Sequence, residues 1–277
     1  MKKRSKSVLI CLEIILLALA ILFLRDGFSI NIAGVINSYP NADKYRSGET
    51  TVSDPVTELD ISWISGAVNI VPGNGSGIVI SEKSSRELNE GNRLHYWLDG
   101  TTLRIRPNAP GLMINLPSKE LTVTVPEETD LELLTVEVVS ADTEIRGIKA
   151  ARASLNSTSG ELTFTGCSIR ELTFETVSGD ISVTADGTEK SDISTVSGNA
   201  SLNLHHAPSS MNLHSVSGSM EVLLPADTGF RLGTSTVSGD IDCRFPVVKE
   251  KDSYVCGNGE NSYRFDSVSG DLRFEAE

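Results

Sequence analysis

The aspartates of a repeated pentapeptide are the first residues of this chain that could do chemistry. Asp180, Asp240 and Asp271 each follow a Ser-Gly pair in a recurring Thr/Ser-Val-Ser-Gly-Asp motif. Stacked carboxylates could hold a cation or act as an acid and a base. Calcium-binding β-rolls, however, use a Gly-Gly-x-Gly-x-Asp nonapeptide that is absent here. A catalytic cluster would also combine different residue types, whereas these positions repeat one type, which indicates a scaffold.

Histidines and cysteines provide the other candidates. His205, His206 and His214 fall near successive turns, but adjacent strand residues point to opposite faces, so one metal site could use only one of the first two. Cys243 and Cys256 invite a disulfide in an exported domain, and a buried thiol at Cys243 is the preferred alternative. No Cys-x-x-Cys zinc spacing occurs. We therefore assign no catalytic, cofactor-binding or metal-binding residue and expect no enzymatic activity and no cofactor.

The motif marks a structural repeat. Its serines are separated by 19, 19, 20, 21 and 31 residues, at Ser159, Ser178, Ser197, Ser217, Ser238 and Ser269. Apolar residues recur four before, one before, three after and five after each serine. Offsets that differ by two share one face of a strand, so each repeat predicts two half-buried β-segments and no helix.

The same template finds two further copies, at Ser65 and Ser140, which makes eight. It predicts an all-β domain that is a β-solenoid, or parallel β-helix-like, with about 19–21 residues per turn and each coil stacked on the preceding one. An antiparallel sandwich is the alternative. The valine before each serine is expected to face the core, so Val196→Asp should destabilise the fold severely. The glycine either relieves crowding between coils or forms a corner at positive φ.

The N-terminus predicts a membrane anchor. Within residues 7–24, the run from Val8 to Leu24 carries Glu13 as its only charge and is just long enough to span a bilayer. The basic residues of segment 1–6 predict a cytoplasmic tail and an extracytoplasmic C-terminal domain. We interpret residues 7–24 as an uncleaved transmembrane signal-anchor in the cell membrane, with a cleaved signal peptide as the alternative. Residues 25–57 lack a sustained period and predict a linker.

The remaining chain, residues 58–277, predicts an extracytoplasmic β-repeat domain. Residues 58–130 are expected to form an irregular N-terminal cap, and residues 131–277 the regular repeats. Asp99-Gly100 between two strand-like segments predicts a hairpin. The longest spacing predicts a protruding loop or hairpin at residues 245–262, the first choice for a binding loop. A net charge of −13 argues against nucleic acid as a partner.

The Thr-Val-Ser-Gly-Asp-Ile repeats, the Gly257-Asn258-Gly259 element, the final Val268–Phe274 segment and the anchor together resemble one bacterial group. This is the putative-adhesin family of unknown function, which includes LiaG-like envelope proteins. The resemblance covers residues 59–274. It implies a β-solenoid-like extracytoplasmic domain linked to envelope stress or surface adhesion, and it supplies no catalytic residues.

These expectations combine into one functional hypothesis. The chain is expected to be a non-enzymatic, membrane-anchored extracytoplasmic protein that acts as an adhesin or as a cell-envelope interaction or stress-response component. Its expected partners are the cytoplasmic membrane, through the N-terminal helix, and a cell-wall polymer or an envelope protein. A glycan-active β-helix enzyme at the cell surface is the alternative.

Overall fold

The fold is built almost entirely of β-strands. The computed structural model describes residues 29–30, 36–112, 117–251 and 253–277. Within these ranges it contains 24 strands and two 3-10 turns, Ala42–Lys44 and Glu90–Asn92, which confirms the all-β prediction. In the same part of the chain, no helix has the length and apolar character needed to cross a membrane. The predicted tail 1–6 and anchor 7–24 lie outside the described residues.

The strands form three groups along the chain. The N-terminal group is β1 Ser29–Ile30, β2 Ile36–Ser38, β3 Arg46–Ser47, β4 Thr50–Val52, β5 Glu58–Gly73, β6 Ile78–Ser84, β7 His95–Asp99, β8 Thr102–Arg106, β9 Gly111–Leu112 and β10 Lys119–Pro126. The middle group is β11 Asp130–Arg146, β12 Lys149–Ser157, β13 Leu162–Thr176, β14 Ile181–Asp186, β15 Lys190–Thr195, β16 Ala200–Leu204, β17 Ser210–Ser215 and β18 Met220–Leu224. The C-terminal group is β19 Phe230–Thr236, β20 Ile241–Cys243, β21 Val247–Lys249, β22 Ser253–Cys256, β23 Asn261–Ser267 and β24 Leu272–Ala276.

Two parallel ladders form the body of the molecule. The first ladder contains, in spatial order, β8, β5, β11, β12, β13, β15, β17, β23 and β19. The second contains β10, β5, β11, β13, β14, β16, β18, β24 and β20. The long strands β5, β11 and β13 pass from one ladder to the other. Each coil therefore contributes one segment to each ladder, and the core lies between them.

The coils repeat at the spacing predicted from the serines. Leu155 pairs with Phe174 and Phe174 with Ile193, each 19 residues on, and Ile193 pairs with Leu213 after 20. All four side chains are fully buried and form one inward column. Burial of each such side chain stabilises the fold by about 1.5–3 kcal/mol. The protein thus has a β-solenoid-like repeat fold, as predicted.

The last two coils are exchanged in space relative to their order in the sequence. Leu213 pairs with Phe265, which lies 52 residues later, and Phe265 then pairs with Thr234. The expectation that every coil stacks on the preceding one is therefore wrong at this end. The long final spacing permits the exchange, because the β21–β22 hairpin returns the chain along β19 before β23 begins.

The exchange places the more apolar coil inside. Phe265 and Phe274 pack against the interior column and are fully buried, whereas the terminal coil carries Thr234 and the half-buried Cys243 at the equivalent positions. Phe230 closes this end of the core, with its ring centroid 5.1 Å from that of Phe274. Burial of the larger aromatic rings favours this order over simple sequential stacking.

Antiparallel strands close the N-terminal end of the ladders. Ser65 of β5 lies opposite Ser140 of β11, which confirms the early coil found by the repeat template. Beyond it, β7 and β3 extend the first ladder, while β6 and β4 extend the second. Asp99 pairs with Thr102 across the expected hairpin, where Gly100 has a φ of 65°. The range 58–130 therefore combines one regular coil with a cap that covers the parallel edges.

Part of the predicted linker belongs to the folded domain. Residues 25–57 were expected to form a spacer, but β3 and β4 within this range pair with the cap. Tyr39 and Val52 are buried, and the Tyr39 hydroxyl donates to the Asn108 carbonyl at 3.1 Å. The linker prediction is wrong for this part, because its few apolar residues cover the end of the ladders and show no period of their own.

Candidate functional site

The repeated motif forms the corner between the two ladders. The Thr195 side chain is buried, and its hydroxyl donates to the Gly198 carbonyl at 2.8 Å. In another coil the Ser157 hydroxyl accepts the Gly160 N–H at 2.9 Å. The valine that follows this threonine is only half-buried, as at Val196. The prediction that Val196 faces the core is therefore wrong, because the chain turns here and the threonine or serine points inward instead.

Close approach of the neighbouring coil explains the glycine. A Cβ on Gly198 would lie 2.0 Å from the carbonyl oxygen of Gly179, and a Cβ on Gly218 would lie 1.8 Å from that of Gly198. The six glycines of the motif do not have positive φ. Relief of crowding between coils is therefore the correct explanation for these six glycines, whereas Gly66 of the early copy has a φ of 101°.

The exposed serines bind one coil to the next. The Ser197 hydroxyl donates to the Val177 carbonyl at 3.1 Å, and the Ser197 N–H donates to the same oxygen at 2.9 Å. Ser217 repeats the side-chain contact with the Val196 carbonyl at 3.2 Å. These hydroxyls are solvent-exposed but occupied, so their repetition serves the assembly of the coils.

The motif aspartates lie in one column along the second ladder, which asparagine and serine interrupt. Aspartates of this column also accept hydrogen bonds from the backbone of neighbouring coils. Its spatial order is Asp180, Asn199, Ser219, Asp271 and Asp240. Oδ1 of Asp180 accepts the Asn199 N–H at 2.7 Å, and Oδ1 of Asp271 accepts the Asp240 N–H at 2.8 Å. Asp180 and Asp271 each cap the neighbouring coil, which supports the scaffold interpretation of these two aspartates.

A polar groove of about 590 Å³ runs beside this column across the second ladder. Its far side carries Ser182, Ser201, Glu221, Arg273 and Asp242. The Arg273 guanidinium lies 3.6 Å from the Glu221 carboxylate and 3.9 Å from that of Asp242. These exposed ion pairs contribute little to stability. On this side of the groove Arg273, Glu221 and Asp242 thus contact one another, while Asp180 and Asp271 on the other side bond to backbone.

The histidines do not behave as the strand pattern predicts. Nδ1 of His205 lies 3.1 Å and Nδ1 of His206 lies 3.5 Å from the same oxygen of Asp186. Both rings reach one carboxylate because they follow the end of β16 in a bend. His214 lies elsewhere, 3.6 Å from Asp266. Among the described residues, no group of three or more His, Cys, Asp or Glu side chains is placed to hold a metal ion.

The segment expected to be a binding loop is a hairpin packed on the fold. β22 pairs with both β21 and β19, and Val248 in β21 is 71% exposed. Cys243 is half-buried, Cys256 is buried, and both thiols are free. Burial raises the pKa of both thiols. The structure thus contains two free thiols here, and the thiol of Cys243 is only partly buried, not fully buried as expected.

A second concave site, which we call the cap cavity, lies at the N-terminal end of the ladders. It has a volume of about 680 Å³ and is lined by Lys44, Arg46, residues 50–54 and residues 96–98. The repeat pattern could not reveal it, because its walls come from two distant segments outside the regular coils. The one feature of the sequence that could have indicated this cavity was the cluster of basic and aromatic residues Lys44, Tyr45 and Arg46 inside the predicted linker.

Aromatic rings connect the cap cavity to the buried cap. The ring centroids of Tyr39 and Tyr45 are 4.8 Å apart, and those of Tyr45 and Trp97 are 5.6 Å apart. Nζ of Lys44 lies 4.7 Å from the centroid of the Trp97 ring, a cation–π contact. Since Tyr39 is buried, this row of rings fixes the position of Trp97 at the cavity wall.

Buried ion pairs stiffen the same region. The Arg106 guanidinium donates to both carboxylate oxygens of Asp60, at 2.9 and 3.0 Å. Burial acts to lower the pKa of Arg106, but the Asp60 carboxylate outweighs it and the pKa is raised. Nζ of Lys119 lies 2.9 Å from Glu82, and burial lowers the pKa of Lys119. Removing one partner of such a pair typically costs about 3–5 kcal/mol.

The fold and its surfaces define a class of protein: a β-solenoid-like repeat protein whose recurring polar residues bind each coil to the next. The chain belongs to the Toastrack DUF4097 family, whose model matches residues 56–275. The resemblance to a family of unknown function is thereby confirmed. No curated protein of known role matches the chain.

Two solved structures show a distant similarity to the chain. A putative cell adhesion protein from Clostridium sporogenes has a TM-score of 0.37 and 14% identity, covering 84% of this chain and 100% of its own. A putative adhesin from Bacteroides fragilis has a TM-score of 0.41 and 10% identity, covering 83% of this chain and 97% of its own. Similarity at this level carries no functional argument.

Proposed function

We propose that the chain is a non-enzymatic, membrane-anchored extracytoplasmic protein whose repeat domain is a rigid binding scaffold in the cell envelope. It acts as an adhesin or as an envelope interaction or stress-response component, with a cell-wall polymer or an envelope protein as partner. Membership of the Toastrack DUF4097 family agrees with the sequence resemblance from which this role is drawn. The apolar segment 7–24 and the basic residues before it support the anchor and its orientation.

The use of the recurring polar side chains is the observation that carries the proposal. Thr195 bonds within its own coil, while Ser197 and Asp180 bond to the backbone of neighbouring coils. A nucleophile or a general acid must instead be free to meet the substrate, with a base or an acid in reach. Side chains that are already hydrogen-bonded within and between the coils favour a scaffold that presents flat polar faces to a partner.

Co-sedimentation with purified cell walls tests this function. Full-chain protein in mild detergent is incubated with the walls, and the supernatant is analysed for released saccharides by mass spectrometry. We expect the protein to sediment with the walls and to release no fragments. Released fragments would instead favour the glycan-active β-helix enzyme. Protein that stays in the supernatant would exclude a wall polymer as the partner.

Surface labelling tests the orientation separately. A C-terminal epitope on the full chain should be accessible to antibody on intact spheroplasts, because residues 25–277 are proposed to lie outside the membrane. A tag that becomes accessible only after lysis would refute the extracytoplasmic location.

A further inference from the structure

We propose that the cap cavity binds a saccharide unit that carries an acidic group, either a carboxylate or a phosphate. The inference rests on the proposed function, since it names the ligand class through which an envelope-binding scaffold would recognise its polymer.

The size and walls of the cap cavity suit a sugar. Its volume of about 680 Å³ lies within the range of about 300–1,000 Å³ that small-molecule sites occupy. Tyr96 contributes half-buried aromatic surface, against which the apolar C–H face of a sugar ring can pack. The Trp97 ring is already in contact with Lys44 and Tyr45. The exposed polar residues Thr51, Ser53 and Asp54 line the same cavity and can bond to sugar hydroxyls.

The charges of the cap cavity select an acidic sugar. Lys44 and Arg46 line it and are exposed, whereas Asp54 is its one acidic lining residue. Within the described part of the chain, neither cation forms an ion pair with a carboxylate, in contrast to Arg231, which pairs with Glu250 at 2.8 Å. The cavity is thus locally positive on a protein of net charge −13. An arginine fork and a lysine ammonium are the groups that bind carboxylate and phosphate oxygens most strongly.

The cap cavity is preorganised. Trp97 is fixed through Tyr45 to the buried Tyr39, and Lys44 lies over the Trp97 ring. Arg46 is positioned by backbone pairing of β3 with β7, where it lies opposite Tyr96. Arg46 beside Tyr96 and Lys44 on Trp97 are therefore both positioned before a ligand arrives, which lowers the entropy lost on binding.

Tryptophan fluorescence gives a direct test with the full-chain protein. The chain has two tryptophans, and Trp63 is buried in the core at 1% exposure, so a sugar in the cap cavity should alter the emission of Trp97. The probes are glucuronic acid, glucose 6-phosphate, glucose and inorganic phosphate. We expect saturable changes with the two acidic sugars and at least about tenfold weaker binding of glucose and of phosphate. The tighter of the two acidic sugars identifies a carboxylate or a phosphate as the recognised group.

Paired variants decide whether the cap cavity is responsible. The double variant Lys44→Gln/Arg46→Gln should bind the acidic sugars about tenfold or more weakly without a change in melting temperature. Lys149→Gln, an exposed lysine of a regular coil, is the matched control and should bind like the wild type. Glucose binding as tight as that of the acidic sugars, or an unaffected double variant, would overturn the proposal. Saturation-transfer difference NMR with the same sugars detects binding that leaves fluorescence unchanged, and no signal there would also overturn it.

The two proposals fail in different ways. If the double variant still sediments with cell walls like the wild type, the cap cavity is not the wall-binding site, while the proposed function stands. If acidic sugars bind at the cap cavity but the protein does not sediment with walls, this site stands and the proposed partner is refuted.

Discussion

Replacing a glycine in the middle of the solenoid should separate two coils. In Gly198→Ala the new Cβ would lie 2.0 Å from the Gly179 carbonyl oxygen and 2.8 Å from its carbonyl carbon. Both are backbone atoms of a coil paired on its other side as well, so neither can turn away as a side chain would. The two coils must move apart by about 1 Å to bring the contact to 3.0 Å, the lower limit for real Cβ contacts.

The magnitude follows from the hydrogen bonds at this corner. The Ser197 N–H bond to Val177 is 2.9 Å long, its hydroxyl bond to the same oxygen is 3.1 Å, and the Asn199 N–H bond to Asp180 is 2.7 Å. A displacement of about 1 Å takes all three beyond hydrogen-bond distance. At about 0.5–1.5 kcal/mol each, the expected loss is about 2–4 kcal/mol, which agrees with the usual cost of overpacking.

Urea denaturation followed by circular dichroism measures this loss, and two other glycines provide controls. Gly233→Ala places its Cβ no closer than 3.9 Å to Tyr263 in the same type of strand, so its stability should stay within about 0.5 kcal/mol. Gly239→Ala meets Gly270 at 2.0 Å, but its terminal coil has a free side and can move outward, so it should lose less than Gly198→Ala. A Gly198→Ala protein as stable as Gly233→Ala would refute the crowding argument.

Three further measurements test other parts of the structure. Thr195→Val should destabilise the fold by about 1–3 kcal/mol, because the Gly198 carbonyl loses its donor; Thr195→Ser should restore stability in the same denaturation assay, and failure to do so would contradict the hydrogen-bond explanation. Burial raises the pKa of Tyr263, whose hydroxyl donates to Pro208, so its contribution to stability should be present below the unfolded pKa of 10.0 and be lost as the pH rises above it. Denaturation between pH 8 and 11 should show this loss, and Tyr263→Phe should reduce the slope, while the buried Tyr39 and Tyr45 retain part of it; an unchanged slope would refute the assignment. Cys167 is fully buried with a pKa raised by burial. In a variant with Cys11, Cys243 and Cys256 replaced by serine, Cys167 should not react with Ellman's reagent at pH 8 until the protein unfolds, and rapid reaction of that native variant would contradict its placement.

The inward columns could be predicted from the sequence because strand geometry is local. Residues two apart face the same side, so the regular offsets of Phe174, Ile181 and Val183 place them in the core, where the structure finds them. The offsets change step at the corner, and there the prediction fails. Val196 continues the apolar pattern, yet the turn exposes it in part and buries Thr195, whose polar atom is satisfied by the backbone of the turn itself.

The functional candidates divide in the same way. The sequence predicted that the aspartates of the motif and the histidines recur in successive coils. Whether these side chains are free to bind or react depends on hydrogen-bond partners that only the fold supplies. Asp180 is occupied by a backbone N–H, and His205 and His206 share Asp186 because a bend replaces the expected strand. The cap cavity could not be predicted, since Lys44 and Trp97 meet only when β3 pairs with β7.

The sequence by itself determined the family, the all-β class and the spacing of the coils, because these depend on a repeated local pattern. Tertiary structure decided the order of the last two coils, the close approach of neighbouring coils that requires the motif glycines, and the location of the cap cavity. Those features depend on which surfaces come together. Phe265 is fully buried in the inner coil, whereas the terminal coil carries Thr234 at the equivalent position. Gly198 lies against a backbone carbonyl of another coil. A sequence pattern indicates which residues will be buried, whereas the contacts between distant segments form only when the chain has folded.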